Sequence, residues 1–249
     1  MSTLELEMDT RIDEVADRIY RFSTFVPRGD SGITFNQFLI DADQPMLFHC
    51  GQRFLFDGMV QAMRKLRDPA SLRWIGFSHG EADESGSMNE WLALAPQAVV
   101  AHSGLGCSVA VSDHAIRPPQ IVANGEVFDL GGKRVRFIET PHVPHNWEAC
   151  LLYEETTGTF FTSDLFTAFG KCEVHSEGGD ILTPAIATEE GAGFTSLTPN
   201  TAPTLRKLAA LKPRHLALMH GPTWHGDGAK VLDDLAGYYD QRIRRELAA

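Results

Sequence analysis

Three side chains able to hold a cation or a proton fall at alternate positions in 78-SHGEADESGSM-88: His79, Glu81 and Asp83. Three more candidates lie far downstream. His142 sits in 140-TPHVPHNW-147, Asp164 in 162-TSDLF-166 and His220 in 218-LMHGPTW-224. Each has an ordinary reading when taken alone: a loop residue, a helix cap, or a buried histidine with its hydrogen bonds satisfied. Taken together they offer three imidazoles and three carboxylates, a donor set that suits iron, zinc or manganese. One carboxylate can bridge two ions, and Asp164 is placed to do so. Three anionic donors would favour a trivalent pair more than imidazoles alone would, which tilts the expectation toward two iron ions, with zinc or manganese as alternatives.

The elements around these residues explain how they could meet. Apolar, β-prone runs at 35–41, 45–50, 72–77, 98–101, 134–139, 150–154, 159–162 and 215–219 read as strands. The first two are joined by a turn at Ala42–Gln44. Helical spacing appears at 54–66, 203–211 and 229–247. A helix is expected at 88–95, with Ser87 and Glu90 spaced as a capping box and Pro96 as its stop. The stretch 170–198, rich in Gly, Thr and Glu, reads as an irregular lid or insertion. His79, His142, Asp164 and His220 each follow the carboxyl end of a strand. In layered α/β folds such ends converge on one crevice. Strands and helices interleave throughout, so one α/β domain is expected over residues 1–249.

Composition narrows the function classes. A net charge of −11 argues against nucleic acid and against an anionic membrane surface as partners. Hydrophobic residues make up 43% of the chain, enough for a sizeable core, yet no apolar run approaches a bilayer span. The first 22 residues lack the apolar segment of a secretion leader. Cys50, Cys107, Cys150 and Cys172 form no CxxC pair. A reducing cytoplasm with small buried thiols is the expectation.

The order HxExD, then His, then Asp, then His-Gly-Pro resembles the metallo-β-lactamase superfamily. It is most similar to the lactamase-like domain of flavodiiron proteins, and the stretches 33-ITFNQFLI-40, 78-SHGEADESGSMNEWLALAP-96, 160-FFTSDLFTAFG-170 and 218-LMHGPTW-224 carry the likeness. Hydrolases of the superfamily usually carry HxHxDH, and Glu81 in place of the second His marks the diiron variant. The resemblance covers a core of roughly residues 20–245 and implies a four-layer αββα sandwich of two mixed sheets flanked by helices. It implies one iron on His79, Glu81 and His142, and a second on Asp83 and His220, with Asp164 bridging.

Three departures stand out. Glu84 occupies a position that is often His in the family. His49 stands where the superfamily commonly has Asp, and a structural or ligand-supporting role is expected for it. No flavin-phosphate loop or rubredoxin-type cysteine pair follows, so no flavodoxin or rubredoxin domain and no flavin in cis is expected. That makes the chain similar to stand-alone oxygen-binding diiron proteins. The expected function is binding of dioxygen or nitric oxide, as a sensor or as a reductase supplied by a separate flavoprotein or coupled to a signalling partner. The alternative is a zinc-dependent hydrolase of an ester, thioester or lactone. A homodimer is compatible with either reading. For His145 two readings stay open, a partner that orients a ligand or an exposed loop residue. His102, His114, His175 and His225 are expected at the surface, and His215 as a packing residue.

Overall fold

The structure, a computed structural model, describes residues 9–29 and 31–248. Residues 1–8 of the stretch judged to lack a secretion leader lie outside the described residues. Two seven-stranded sheets pack face to face. The first runs in chain order: β1 (Thr10–Ala16), β2 (Ile19–Arg28), β3 (Ser31–Ile40), β4 (Met46–Phe48), β5 (Trp74–Gly76), β6 (Val99–Ser103) and β7 (Gln120–Val122). Its first four strands are antiparallel neighbours and β4 through β7 run parallel. The second contains β8 (Val127–Asp129), β9 (Arg134–Glu139), β10 (Cys150–Glu154), β11 (Thr159–Ser163), β12 (His175–Glu177), β13 (His215–Leu218) and β14 (Thr223–His225). Its spatial order is β12-β14-β13-β11-β10-β9-β8. The antiparallel steps from β9 to β10 to β11, followed by the parallel pair β11–β13, send the carboxyl ends of β9, β11 and β13 to one edge.

The helices are α1 (Phe56–Met63), α2 (Ala82–Ser85), α3 (Met88–Leu94), α4 (Gly104–Gly106), α5 (Ser112–His114), α6 (Leu182–Ala192), α7 (Thr201–Ala209) and α8 (Gly228–Leu247). Three apolar layers hold the sandwich. Phe38, Phe48, Phe137, Phe161 and Leu152 fill the space between the sheets. Met59, Met63, Trp91 and Leu92 bring α1 and α3 onto the first sheet, next to Leu39, Leu47 and Ile75. Leu205, Leu208, Leu232, Leu235 and Tyr239 bring α7 and α8 onto the second, next to Leu151, Phe160 and Leu216. Alternation along β3 follows the pleat, with Phe38 and Ile40 facing the other sheet and Leu39 facing helices. The result is the expected αββα order.

Several local expectations are corrected. Ser87 makes no side-chain cap for α3; its hydroxyl donates to the Cys50 carbonyl at 2.6 Å, where Trp91 Nε1 also donates. The stretch 170–198 holds β12 and the eleven-residue α6, so it belongs to the second sheet and its helical layer. β1 and most of β2 add two antiparallel strands to the sheet edge, where polar alternation had masked the strand pattern. His102 is fully buried, its Nε2 3.7 Å from Cys150 Sγ, instead of lying at the surface. Among the described residues no helix is long and apolar enough to cross a membrane.

Candidate metal centre

The site forms where the two sheets meet at their carboxyl edge. The Cys150 amide donates to the Ser78 carbonyl at 2.8 Å, so the start of β10 is tied to the end of β5. From there the chain enters a tight bend: Glu81 precedes α2, whose first turn carries Asp83 and Glu84. Asp164 follows β11 through Ser163, which adopts a left-handed backbone conformation at φ 51°. Such a residue costs about 1–3 kcal/mol and persists where surrounding contacts hold it. Here Ser163 Oγ is held by Glu84 at 2.5 Å and by Ser78 Oγ at 2.6 Å. His220 follows β13 and is locked to β3. Asn36 Nδ2 donates to the Leu218 and Gly221 carbonyls, each at 2.8 Å, and the Asn36 amide donates to Met219 O at 3.0 Å.

Two groups of donors result, and they share Asp164. One is His79, Glu81, His145 and Asp164; the other is Asp83, Asp164 and His220, with the ligand atoms of each group within 4.8 Å of one another. The two oxygens of Asp164 divide between them. Oδ1 lies 3.2 Å from His220 Nε2, whereas Oδ2 lies 3.4 Å from Nε2 of both His79 and His145. Asp83 Oδ2 completes the second group at 3.2 Å from His220 Nε2, and Glu81 Oε1 lies 3.1 Å from His145 Nε2.

The structure brings five of the six expected residues together and substitutes one. His142 does not join them: its side chain is exposed, its backbone is left-handed at φ 66°, and its amide closes the loop on the Asn146 carbonyl at 2.8 Å. The same turn sends His145 inward, with its ring 4.3 Å from that of His79. Two histidines three residues apart in one loop cannot be ranked from spacing, because the loop's direction decides which one faces the strand ends. Glu84, the departure from the family pattern, does not face the donors of the second group. It is fully buried beneath His79.

The imidazoles are prepared to give a lone pair. His79 Nδ1 lies 3.0 Å from Glu84 Oε2, and His220 Nδ1 donates to the Thr34 carbonyl at 2.9 Å. A carbonyl only accepts, so the Nδ1 of His220 carries hydrogen and its Nε2 is the free donor in the neutral ring. His79 Nε2 and both ring nitrogens of His145 are buried and have no hydrogen-bond partner, although carboxylate oxygens lie nearby. Unsatisfied buried polar atoms in a native site point to an ion. The residues present therefore fit a cation in each donor group, where Asp164 would serve both.

Without a cation the same groups hold protons. Burial opposes the charged form of His79, but Glu84, Asp164 and Glu81 outweigh it and raise its pKa to about 9. Burial likewise opposes the charge on His220, yet Asp164 and Asp83 raise it to about 10. Burial would push Asp164 up, while His220 and His79 hold it well below the usual carboxylate range. Burial is the main reason Glu84 rises to about 7, partly countered by His79.

Beside the Asp83 side of the site lies a cavity of about 410 Å³ lined by Ile33, Phe35, Gln52, Asp83 and Phe169, among others. Phe35 meets the His220 ring edge-on at 5.3 Å.

Comparison with known proteins agrees with this architecture. A family model described as ODP family beta lactamase matches residues 33–180. A putative diflavin flavoprotein A 2 of Synechocystis is 29% identical over 199 residues, covering 77% of this chain and 33% of the relative. The anaerobic nitric oxide reductase flavorubredoxin of Klebsiella pneumoniae is 23% identical over 228 residues, covering 85% of this chain and 46% of the relative. The chain thus spans less than half the length of these curated relatives. Among solved structures, a metal-soaked Flv1 flavodiiron core from Synechocystis superposes with a TM-score of 0.78 at 25% identity, over 93% of this chain and 61% of that one. A fragment of putative diflavin flavoprotein A 5 from Nostoc matches with a TM-score of 0.79 at 17% identity, over 97% and 99%.

Proposed function

Because the chain belongs to the ODP family beta lactamases, we propose that it binds two iron ions at the His79–His220 site and that the pair binds dioxygen or nitric oxide. The carrying observation is the division of Asp164 between two donor groups, in the first of which His79 Nε2 and both His145 ring nitrogens are buried without partners. His79, Glu81, His145 and Asp164 would hold one ion, and Asp83, Asp164 and His220 the other. When bound, such a pair would supply two redox-active centres. The carboxylate-rich set supports iron over zinc, and it disfavours the ester, thioester or lactone hydrolase that the scaffold could otherwise support.

The protein's own groups define the rest. Glu84 and the Thr34 carbonyl hold the Nδ1 sides of His79 and His220, so both rings present Nε2. Ile33, Phe35 and Phe169 line an approach to Asp83 that also carries Arg28, Ser31 and Gln52. The flavin-bearing names of the relatives support a flavin as the electron source for any turnover. A protein that keeps the gas without turnover would instead report it to a signalling partner.

The test is anaerobic reconstitution with ferrous iron, followed by oxygen. The expected result is two irons per chain and a new visible absorption, with oxygen consumption on adding a flavoprotein reductase and its reductant if the protein is a reductase. Stable absorption without consumption marks a sensor. Neither absorption nor consumption, or zinc with hydrolytic turnover, overturns the proposal.

A further inference from the structure

β12 is a three-residue edge strand whose alternate residues, His175 and Glu177, project from one face. β14 runs parallel to it with His225 opposite Glu177, and β13 runs antiparallel to β14 with His215 opposite His225. The pleat therefore gathers three imidazoles and a carboxylate on one patch of sheet, at the far end of β13 from His220. His225 stands at the centre. Its Nε2 lies 3.0 Å from His175 Nδ1, and its Nδ1 lies 2.6 Å from His215 Nδ1. The Glu177 carboxylate is close enough to act on both His215 and His225. His175 and Glu177 are exposed and His225 is half-buried, so solvent reaches the patch.

The spacings select a chemistry. Imidazole nitrogens bind a transition ion at about 2.0–2.1 Å. Two such nitrogens 3.0 Å apart can share one ion at roughly a right angle. That is the angle between neighbouring donors in a tetragonal shell, and it is narrower than a tetrahedral one. Tetragonal nitrogen and oxygen donors suit copper(II) and nickel(II) better than zinc. The other contact readies the central ring. Two lone pairs cannot face each other at 2.6 Å, so one of the two nitrogens carries hydrogen. With His215 accepting from His225 Nδ1, the Nε2 of His225 is its lone-pair donor.

We propose that His175 Nδ1 and His225 Nε2 form a further cation site, with Glu177 as its third donor and His215 as the positioning residue behind His225, and that this site takes copper(II) or nickel(II). An ion there pins the edge strand β12 to β14. The two strands are otherwise tied by the Thr223 amide donating to the Val174 carbonyl at 3.0 Å and the Gly178 amide donating to the His225 carbonyl at 2.8 Å. The ion would bridge them between those two bonds. Iron(II) lies low in the affinity order of nitrogen-donor sites, so the row adds nothing to the iron count expected around Asp164.

The experiment is titration with copper(II) of the wild-type chain and of Asp164→Asn, which removes the carboxylate shared by the other two donor groups. It is read by electron paramagnetic resonance and by competition with a chromophoric chelator. Both chains should hold one copper whose spectrum shows two imidazole nitrogens. In the Asp164→Asn background, His175→Ala or His225→Asn should abolish that spectrum and weaken copper by at least about 10–100-fold, the loss typical of a mere supporting partner. Glu177→Gln should weaken it less. His215→Ala should weaken it while the two-nitrogen spectrum persists, and His215→Asn, which can still accept from His225 Nδ1, should recover part of the loss. Copper(II) should also slow hydrogen exchange of the Gly178 amide, and should not do so in His175→Ala. His175 and Glu177 are exposed, so their variants keep the fold and decide the matter if those at 215 or 225 do not. A two-nitrogen spectrum that survives His175→Ala, copper that is lost with His142→Ala instead, or Gly178 exchange indifferent to copper overturns the proposal.

Discussion

Histidines gather at both ends of β13, and the two gatherings behave oppositely. Past its carboxyl end, His220 joins His79 and His145 among carboxylates, and burial is outweighed so that His79 and His220 hold protons more tightly than a free imidazole. At its amino end, His215 pairs across the sheet with His225, Nδ1 to Nδ1 at 2.6 Å, and His225 Nε2 meets His175 Nδ1 at 3.0 Å. Burial, then the neighbouring imidazole, lowers His215; burial also lowers His225, opposed by exposed Glu177 and aided by His175. The side chain is the same and the strand is the same. What differs is whether the partners are carboxylates or other imidazoles, and whether water reaches them. Only the first arrangement stores negative charge that a cation could neutralise.

The sharpest way to break the contrast is to remove its shared anion. Asp164→Asn keeps the shape and deletes the charge that both donor groups use. Both cations should be lost or weakened well beyond the 10–100-fold typical of a supporting residue, and elemental analysis of the purified variant should fall from two metals per chain toward none. The thermal transition should then no longer respond to added ferrous iron, as linkage requires when nothing binds the native state.

Proton competition is the next largest effect. At pH 7 the metal-free site holds protons on His79 and His220, whose pKa values are raised to about 9 and about 10. Ligation requires neutral rings, so cation uptake must release them. Affinity should therefore rise as pH increases from 7 to 9, by about tenfold per pH unit for each proton displaced. Calorimetry in buffers of different ionisation enthalpy counts the protons. For the metal-free protein the sign is reversed. A base with a raised folded pKa stabilises below its ordinary value near 6.5 and loses that stabilisation as pH climbs through the raised value. The transition temperature of the metal-free chain should fall between pH 7 and 10 while that of the loaded chain holds, and equal pH responses would contradict the charge balance drawn above.

A smaller effect separates two residues of one loop. His145→Ala should weaken one cation severely, whereas His142→Ala, on an exposed side chain, should leave both affinities within about threefold and stability within about 0.5 kcal/mol. This pair also marks where the sequence stops being legible. The strand ends after β5, β9, β11 and β13 could be read from apolar runs that give way to polar or turn-forming residues, and they alone bring His79, Asp164 and His220 to one edge. The choice within 142–145 depends on a loop closed by the His142 amide on Asn146, a contact no periodicity encodes. Glu84 is a similar case. Its type was visible, but its inward turn depends on Ser78 and Ser163, one at the end of β5 and one at the end of β11, eighty-five residues apart. β12 and α6 escaped notice because α6 has little apolar bias on either face and β12 is a three-residue edge strand that exists only against β14.

The mildest test is at the other end of β13. His225→Asn removes the central ring of the imidazole row, so cation uptake at the candidate metal centre should not change. At neutral pH stability should shift by no more than about 0.5 kcal/mol, as for most partly exposed substitutions. The difference should emerge on acidification. His215 and His225 have lowered folded pKa values, so the unfolded chain binds more protons than the native one as pH falls below about 6.5, and the wild type loses stability there. With the central ring gone, His215 no longer faces a second imidazole, and the variant should lose less. Urea unfolding at pH 7.5 and pH 5 should therefore bring the two proteins together or reverse their order at the lower pH. If the variant instead loses more on acidification, the row is held by a proton shared between rings, and the distinction between the two histidine gatherings would lie in their exposure instead of in their neighbours.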